Sequence, residues 1–94
     1  MEAIDHLIYA LENVRDGVLA MDKDTGLETL TIFSAEFMNR YGHSQKVVSH
    51  AFPILEGLRD RIQAGDFEGA DPIVLALLAR FRQVREARLR TTKG

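Results

Sequence analysis

No cysteine occurs among the 94 residues, so the chain forms no disulfide framework and offers no thiolate to zinc or an iron-sulfur cluster. Any metal would rest on imidazole and carboxylate, which leaves His6, His43, His50 and the acids. There is also no apolar run of eighteen residues, and the opening stretch MEAIDHLIYALENVRDGV places acids where a targeting segment would carry a basic region and then a purely apolar one. A cytoplasmic protein without membrane association is expected. Glycine-bracketed serine and phosphate-binding glycine loops are missing, and acids such as Asp22 with Asp24, or Glu12 with Asp16, fall in settings that suit helix caps and surface charge. The chain is therefore expected not to be an enzyme. No segment alternates polar and apolar residues with period two, so no strand is expected.

What remains is helix. With 46% of positions hydrophobic, the chain can form one small core, hence a single domain over 1–94. Ile4, Leu7, Ile8, Leu11, Val14 and Val18 recur at three and four and predict a first helix over 2–21. DKDTG breaks the pattern. Thr25 followed by Glu28 reads as a capping box, so a second helix should start near Gly26, present Leu30, Phe33, Phe37 and Tyr41, and stop at Gly42 in a left-handed conformation. A third stripe, Val47, Ala51, Ile54, Leu58 and Ile62, runs from about Ser44 to Gly65, with Pro53 expected to kink it or to begin a new helix. AGDFEGADP reads as a connector in which Asp71 caps a last helix whose first residue is Pro72. The expected architecture is all-α, an up-and-down antiparallel bundle of about four helices, with a frayed basic tail at 90–94.

Two features of the last helix bear on partners. From Ile73 to Leu78 it is apolar nearly all round, more than one bundle face needs, so Ile73, Val74, Leu75, Leu77, Leu78 and Phe81 are expected to be buried on two sides. That burial would come either centrally within the monomer or at a homodimer interface that completes the bundle. The charge is also polarised: residues 1–72 hold 6 basic and 13 acidic side chains, residues 73–94 hold 6 basic and 1 acidic. Arg80, Arg82, Arg85, Arg88 and Arg90 could meet a nucleic acid or an acidic partner. The alternative is that cations gather at a helix carboxyl end because the backbone dipole favours them there.

The histidines allow a geometric test. His43 and His50 are seven residues apart, about 10 Å along a regular helix, so one ion cannot take both within a continuous helix. Their stretch, HSQKVVSHAFPIL at 43–55, resembles the second-helix pattern H-H-x-K-E-E-x-x-L-F-P-x-L of hemerythrin-like (HHE cation-binding) domains. His43, Lys46, Phe52, Pro53 and Leu55 carry the match, and LETLTIFSAEFMNRYG and DPIVLALLARFRQVREA are similar to flanking parts of that family. The resemblance implies a four-helix bundle and a non-haem di-iron centre. Its ligand positions depart: Ser44 replaces the second histidine, Val47 and Val48 both glutamates, and Arg80 with Phe81 the Glu-His pair. The family's fourth helix has no counterpart here. Four-helix phosphotransfer domains share the cadence of the last two helices, but their A-H-x-L-K-G setting is missing.

The expected function is a non-enzymatic protein-interaction or small regulatory module that associates with itself, without a cofactor. A metal-binding sensor is the alternative, holding iron or zinc through His43, His50, Glu36 and His6. A basic-helix nucleic-acid binder is a third reading.

Overall fold

The computed structural model describes residues 3–93. They form four helices and, among the described residues, no strand: α1 Ala3–Leu19, α2 Lys23–Tyr41, α3 Gln45–Gln63 and α4 Phe67–Lys93. Each helix packs on the next in chain order, and α4 closes back onto α1. This is the up-and-down bundle that short connectors favour. Among the described residues no helix is long and apolar enough to cross a membrane.

The stripe read from the sequence makes α1 the most buried element, with Ile4, Leu7, Ile8, Leu11, Val14 and Val18 each less than 5% exposed. Burying a side chain of this kind is worth about 1.5–3 kcal/mol. Around the first half of α1 the core is aromatic. Phe33 and Phe37 of α2 meet Phe81 of α4 edge-on, with ring centroids 6.0 and 6.3 Å away, and Tyr41 tilts against Phe37 at 5.1 Å. Such pairs add about 0.5–1.5 kcal/mol beyond their area. Leu58 and Ile62 are the fully buried residues of α3, while Val47 and Phe52 in its first half stand exposed.

Small residues set the closest helix approach. A Cβ on Gly17 would lie 2.8 Å from the backbone nitrogen of Gly26, and one on Gly26 would lie 3.1 Å from Ile62 Cγ2. The first distance is too short for any side chain, so α1 can sit this close to α2 only because position 17 is glycine, while Gly26 leaves room for Ile62 of α3.

The two connectors at that end share one construction. After α1, Asp22 N donates to Gly17 O at 2.9 Å and Met21 N to Val18 O at 3.0 Å; after α3, Asp66 N donates to Arg61 O at 2.8 Å and Gly65 N to Ile62 O at 3.0 Å. Each is a Schellman-type end with one left-handed residue, Met21 at φ 53° and Gly65 at φ 78°. Each then passes to an aspartate that caps the following helix: Asp22 accepts from Thr25 N at 3.2 Å, and Asp66 accepts from Gly69 N at 3.0 Å.

These caps correct several expected boundaries. The cap of α2 is Asp22 rather than Thr25, so the helix begins at Lys23, and Thr25 Oγ1 donates to Asp22 Oδ2 at 2.7 Å. Gly42 ends α2 in the right-handed conformation, at φ −59°, so left-handed freedom is needed at Met21 and Gly65 instead. Asp66 starts α4 at Phe67, which turns most of AGDFEGADP into helix and puts Pro72 inside it. Likewise α3 continues through Pro53 without interruption, capped by Ser44. Both prolines are exposed, so the carbonyls that lose a partner four residues earlier lie toward water, where solvent offsets the loss. At the ends, α1 stops at Leu19 and Glu2 lies outside the described residues; α4 stays helical to Lys93, past the expected fraying point, with Gly94 outside the described residues.

Two thermal-denaturation experiments test this packing. Gly17→Ala should lower stability by about 1–3 kcal/mol through overpacking, whereas Met21→Gly should raise it by about 1 kcal/mol by removing a left-handed side chain; an unchanged melting temperature in Gly17→Ala would contradict the close approach. The Thr25 hydroxyl, and then the Thr25 amide, hold the Asp22 carboxyl below its ordinary value of 3.8. A lowered carboxylate pKa contributes stability above the unfolded-state value and loses it as pH falls through the folded one. The melting difference between the parent and Asp22→Ala should therefore shrink on going from about pH 6 to about pH 3, and a constant difference would count against the cap.

Candidate interaction surfaces

Ile73 to Leu78 and Phe81 divide according to helical register. Val74, Leu78 and Phe81 are 0%, 2% and 7% exposed and belong to the monomer's own core, and Ile73 and Leu77 pack partly buried against it. Val74, Leu78 and Phe81 are therefore not available to a partner, which corrects their assignment to a dimer interface. Leu75 alone of the six is exposed, at 40%. Around it Pro72, Ala76 and Ala79 are exposed as well. From Pro72 to Ala79 the outward face of α4 thus carries no charge and no hydrogen-bonding side chain, unlike the polar outer face of an ordinary surface helix.

Two arginines of the same helix lie along the seam with α1. Arg82 pairs with Glu12 at 3.6 Å, Arg85 with Asp5 at 3.4 Å, and Arg15 of α1 reaches Asp71 at 3.2 Å. Arg90 pairs with Glu86 one turn away at 3.8 Å. Arg80 and Arg88 are exposed. At least three of the five candidate nucleic-acid contacts, Arg82, Arg85 and Arg90, therefore already face a carboxylate, and the charge asymmetry of the sequence serves in part to hold α4 against the acidic α1. Asp71, released from capping by the earlier start of α4, is one of these partners.

A second surface feature is the groove between α1 and α2. His6, Tyr9, Ala10 and Asn13 line it from α1, and Thr29, Ile32 and Glu36 from α2. It lies one to three turns along α1 from the Gly17 contact. Tyr9 is 65% and Ile32 52% exposed. Both escape a reading based on the apolar stripe because they stand off it, between His6 and Asn13 on one helix and beside Glu36 on the other; their only signal is being apolar at a position where the period asks for a polar residue.

Of the four candidate metal ligands, this groove brings His6 and Glu36 together. His43 lies in the turn between α2 and α3, outside any helix, and His50 lies on α3; both are exposed and neither lines the groove. Among the described residues no group of three histidine, aspartate or glutamate side chains is placed to hold one ion. The buried residues are all hydrophobic or glycine, with no buried polar side chain among those described. A di-iron centre inside the bundle, as the hemerythrin-like resemblance implies, does not fit these residues: Ser44 caps α3, Val47 is exposed, and Phe81 fills the core. Compared with protein-family models, with curated proteins and with solved structures, the chain matches none.

Proposed function

We propose that this chain is a non-enzymatic helical module that acts by binding protein, in the first place a second copy of itself. In this reading it is a cytoplasmic protein that works without a cofactor. The observation that carries the reading is the uncharged outward face of α4 from Pro72 to Ala79, with Leu75 at its centre. The core beneath is closed by Val74, Leu78 and Phe81, so the exposed part of Leu75 is not needed to complete it. A face of this kind gains by being covered, and a symmetric homodimer is the commonest way for a small protein to cover one.

Two substitutions separate folding from association. Leu78→Glu puts a charge into the core and should abolish the cooperative melt, since an unpaired buried charge costs several kcal/mol. Leu75→Glu should keep the parent's helical circular dichroism and melt while shifting molar mass from dimer toward monomer by light scattering. A parent chain that stays monomeric at every concentration would end the reading.

A metal-binding alternative is favoured by one observation, the presence of His6 and Glu36 in a single groove. Imidazole with carboxylate suits zinc or ferrous iron, and remaining ligands would come from water or from a second chain. Calorimetric titration with zinc should show binding that disappears in His6→Ala and persists in His43→Ala. Equal binding by both variants would place any site elsewhere.

A further inference from the structure

At the end of the bundle where α2 passes into α3, three helices bury side chains and the fourth does not. There α1 buries Ile4, Leu7 and Ile8, α2 buries Phe33 and Phe37, and α4 buries Leu78 and Phe81. From Gln45 to Gly57 no residue of α3 is buried; its anchors, Leu58 and Ile62, come after. Ala51 and Leu55 rest on the core partly buried, while Val47 and Phe52 are exposed. Among the described residues no side-chain hydrogen bond or ion pair ties 45–57 to another helix.

The same stretch is weakly built as a helix. Its cap is long: Ser44 Oγ accepts from Val47 N at 3.5 Å, against 3.2 and 3.0 Å at Asp22 and Asp66. Its first turn holds no acid and one cation, Lys46, the reverse of what the backbone dipole favours there. Val47 and Val48 follow, both branched at Cβ and stiff in a helix. Pro53 then leaves the Ser49 carbonyl without an amide partner. Four residues on stands Gly57, where a Cβ would meet nothing within 4 Å. Packing therefore does not require glycine at 57, and glycine loosens a helix interior relative to alanine. Both loosened points lie just before Leu58, where the anchored half begins.

We infer that Gln45–Phe52 is a strap that opens as a unit about a hinge at Pro53–Gly57, while α1, α2, α4 and the end of α3 stay folded. Segments with few buried contacts open at a free energy below that of global unfolding. Because α3 starts four residues after Tyr41 and runs back along α2, the strap covers the aromatic end of the core. Opening lifts Ala51 from it and uncovers that end.

Native-state hydrogen exchange followed by NMR tests this on the full chain. Amides 48–52 should share one protection factor, about tenfold or more below those of α1 and of Leu58 to Ile62. In low urea their exchange should depend on urea more weakly than that of α1, because a local opening exposes less surface. Val18→Ala, at the far end of the bundle, should lower the protection of the slowest amides of α1 about tenfold and leave 48–52 unchanged. Pro53→Ala restores the bond to Ser49 and should raise the protection of 48–52 about tenfold. Strap amides that match α1 in protection and urea dependence, or that fall with it in Val18→Ala, would show that the strap opens only with the whole molecule and would overturn the inference. Protection that rises residue by residue from Val48 would mean fraying from the end, and would overturn it as well. No response to Pro53→Ala would remove the hinge.

Discussion

The close approach of α1 to α2 at Gly17 and Gly26 is the constraint from which the rest of the bundle follows. With no side chain at Gly17 the backbone of α1 comes within contact distance of that of α2 at Gly26, and the stripe of α1 from Ile4 to Val18 is covered. Ile62 of α3 then fills the space beside Gly26, and α4 seals the remaining side of α1 with Val74, Leu78 and Phe81. A larger residue at 17 would hold α2 away and leave gaps at several of these positions together, and one at 26 would press on Ile62 of α3. Interiors are packed closely enough for such losses to be felt individually.

Hydrophobic burial fixes which faces meet, and charge refines how α4 lies along α1. The pairs Arg15–Asp71, Arg82–Glu12 and Arg85–Asp5 all cross this seam. Their side chains are between about a quarter and a half exposed, and exposed pairs of this sort contribute roughly 0–1 kcal/mol each. They are too weak to hold the helix by themselves, yet a slide of one turn along the seam would break all three at once and bring Arg82 or Arg85 away from its carboxylate. The same pairing removes Arg82 and Arg85 from the pool of cations able to meet a phosphate backbone, whose affinity depends on the number of free charges.

The helical class, the number of helices and most of the core were legible in the sequence, because the three-and-four periodicity of α1 and the aromatic run Phe33, Phe37, Tyr41 admit one reading. Boundaries were less so. Aspartate and threonine both cap, and choosing Asp22 over Thr25 depends on whether the preceding residue takes a left-handed turn; Met21 does so without being glycine. Proline misled at 72, which lies inside α4 instead of starting it, and at 53 it does not interrupt α3; its cost inside a helix is small when the unpaired carbonyl faces water, and whether it does depends on which face the tertiary fold turns outward. The apolar run of α4 left two outcomes open, core or interface, and register divides it between them. Val74 and Leu78 go inward and Leu75 outward. The α1/α2 groove was not legible: Tyr9 and Ile32 are far apart in sequence and meet only through the antiparallel pairing of their helices.

That division within α4 bears on why the helix is built as it is. A helix at the corner of a four-helix bundle needs one apolar stripe, and the inner seam of Ala70, Val74, Leu78 and Phe81 supplies it. Polar residues outside would keep such a helix soluble at no loss to the core. Instead α4 carries a second, outer line without charge over two turns, from Pro72 to Ala79. Leu75 at that centre is unfavourable in water, and alanine there leaves backbone open to close approach. The bundle satisfies the inner seam, while the outer line from Pro72 to Ala79 has no neighbour among the described residues to cover it, so its apolar character is not explained by the packing of the monomer.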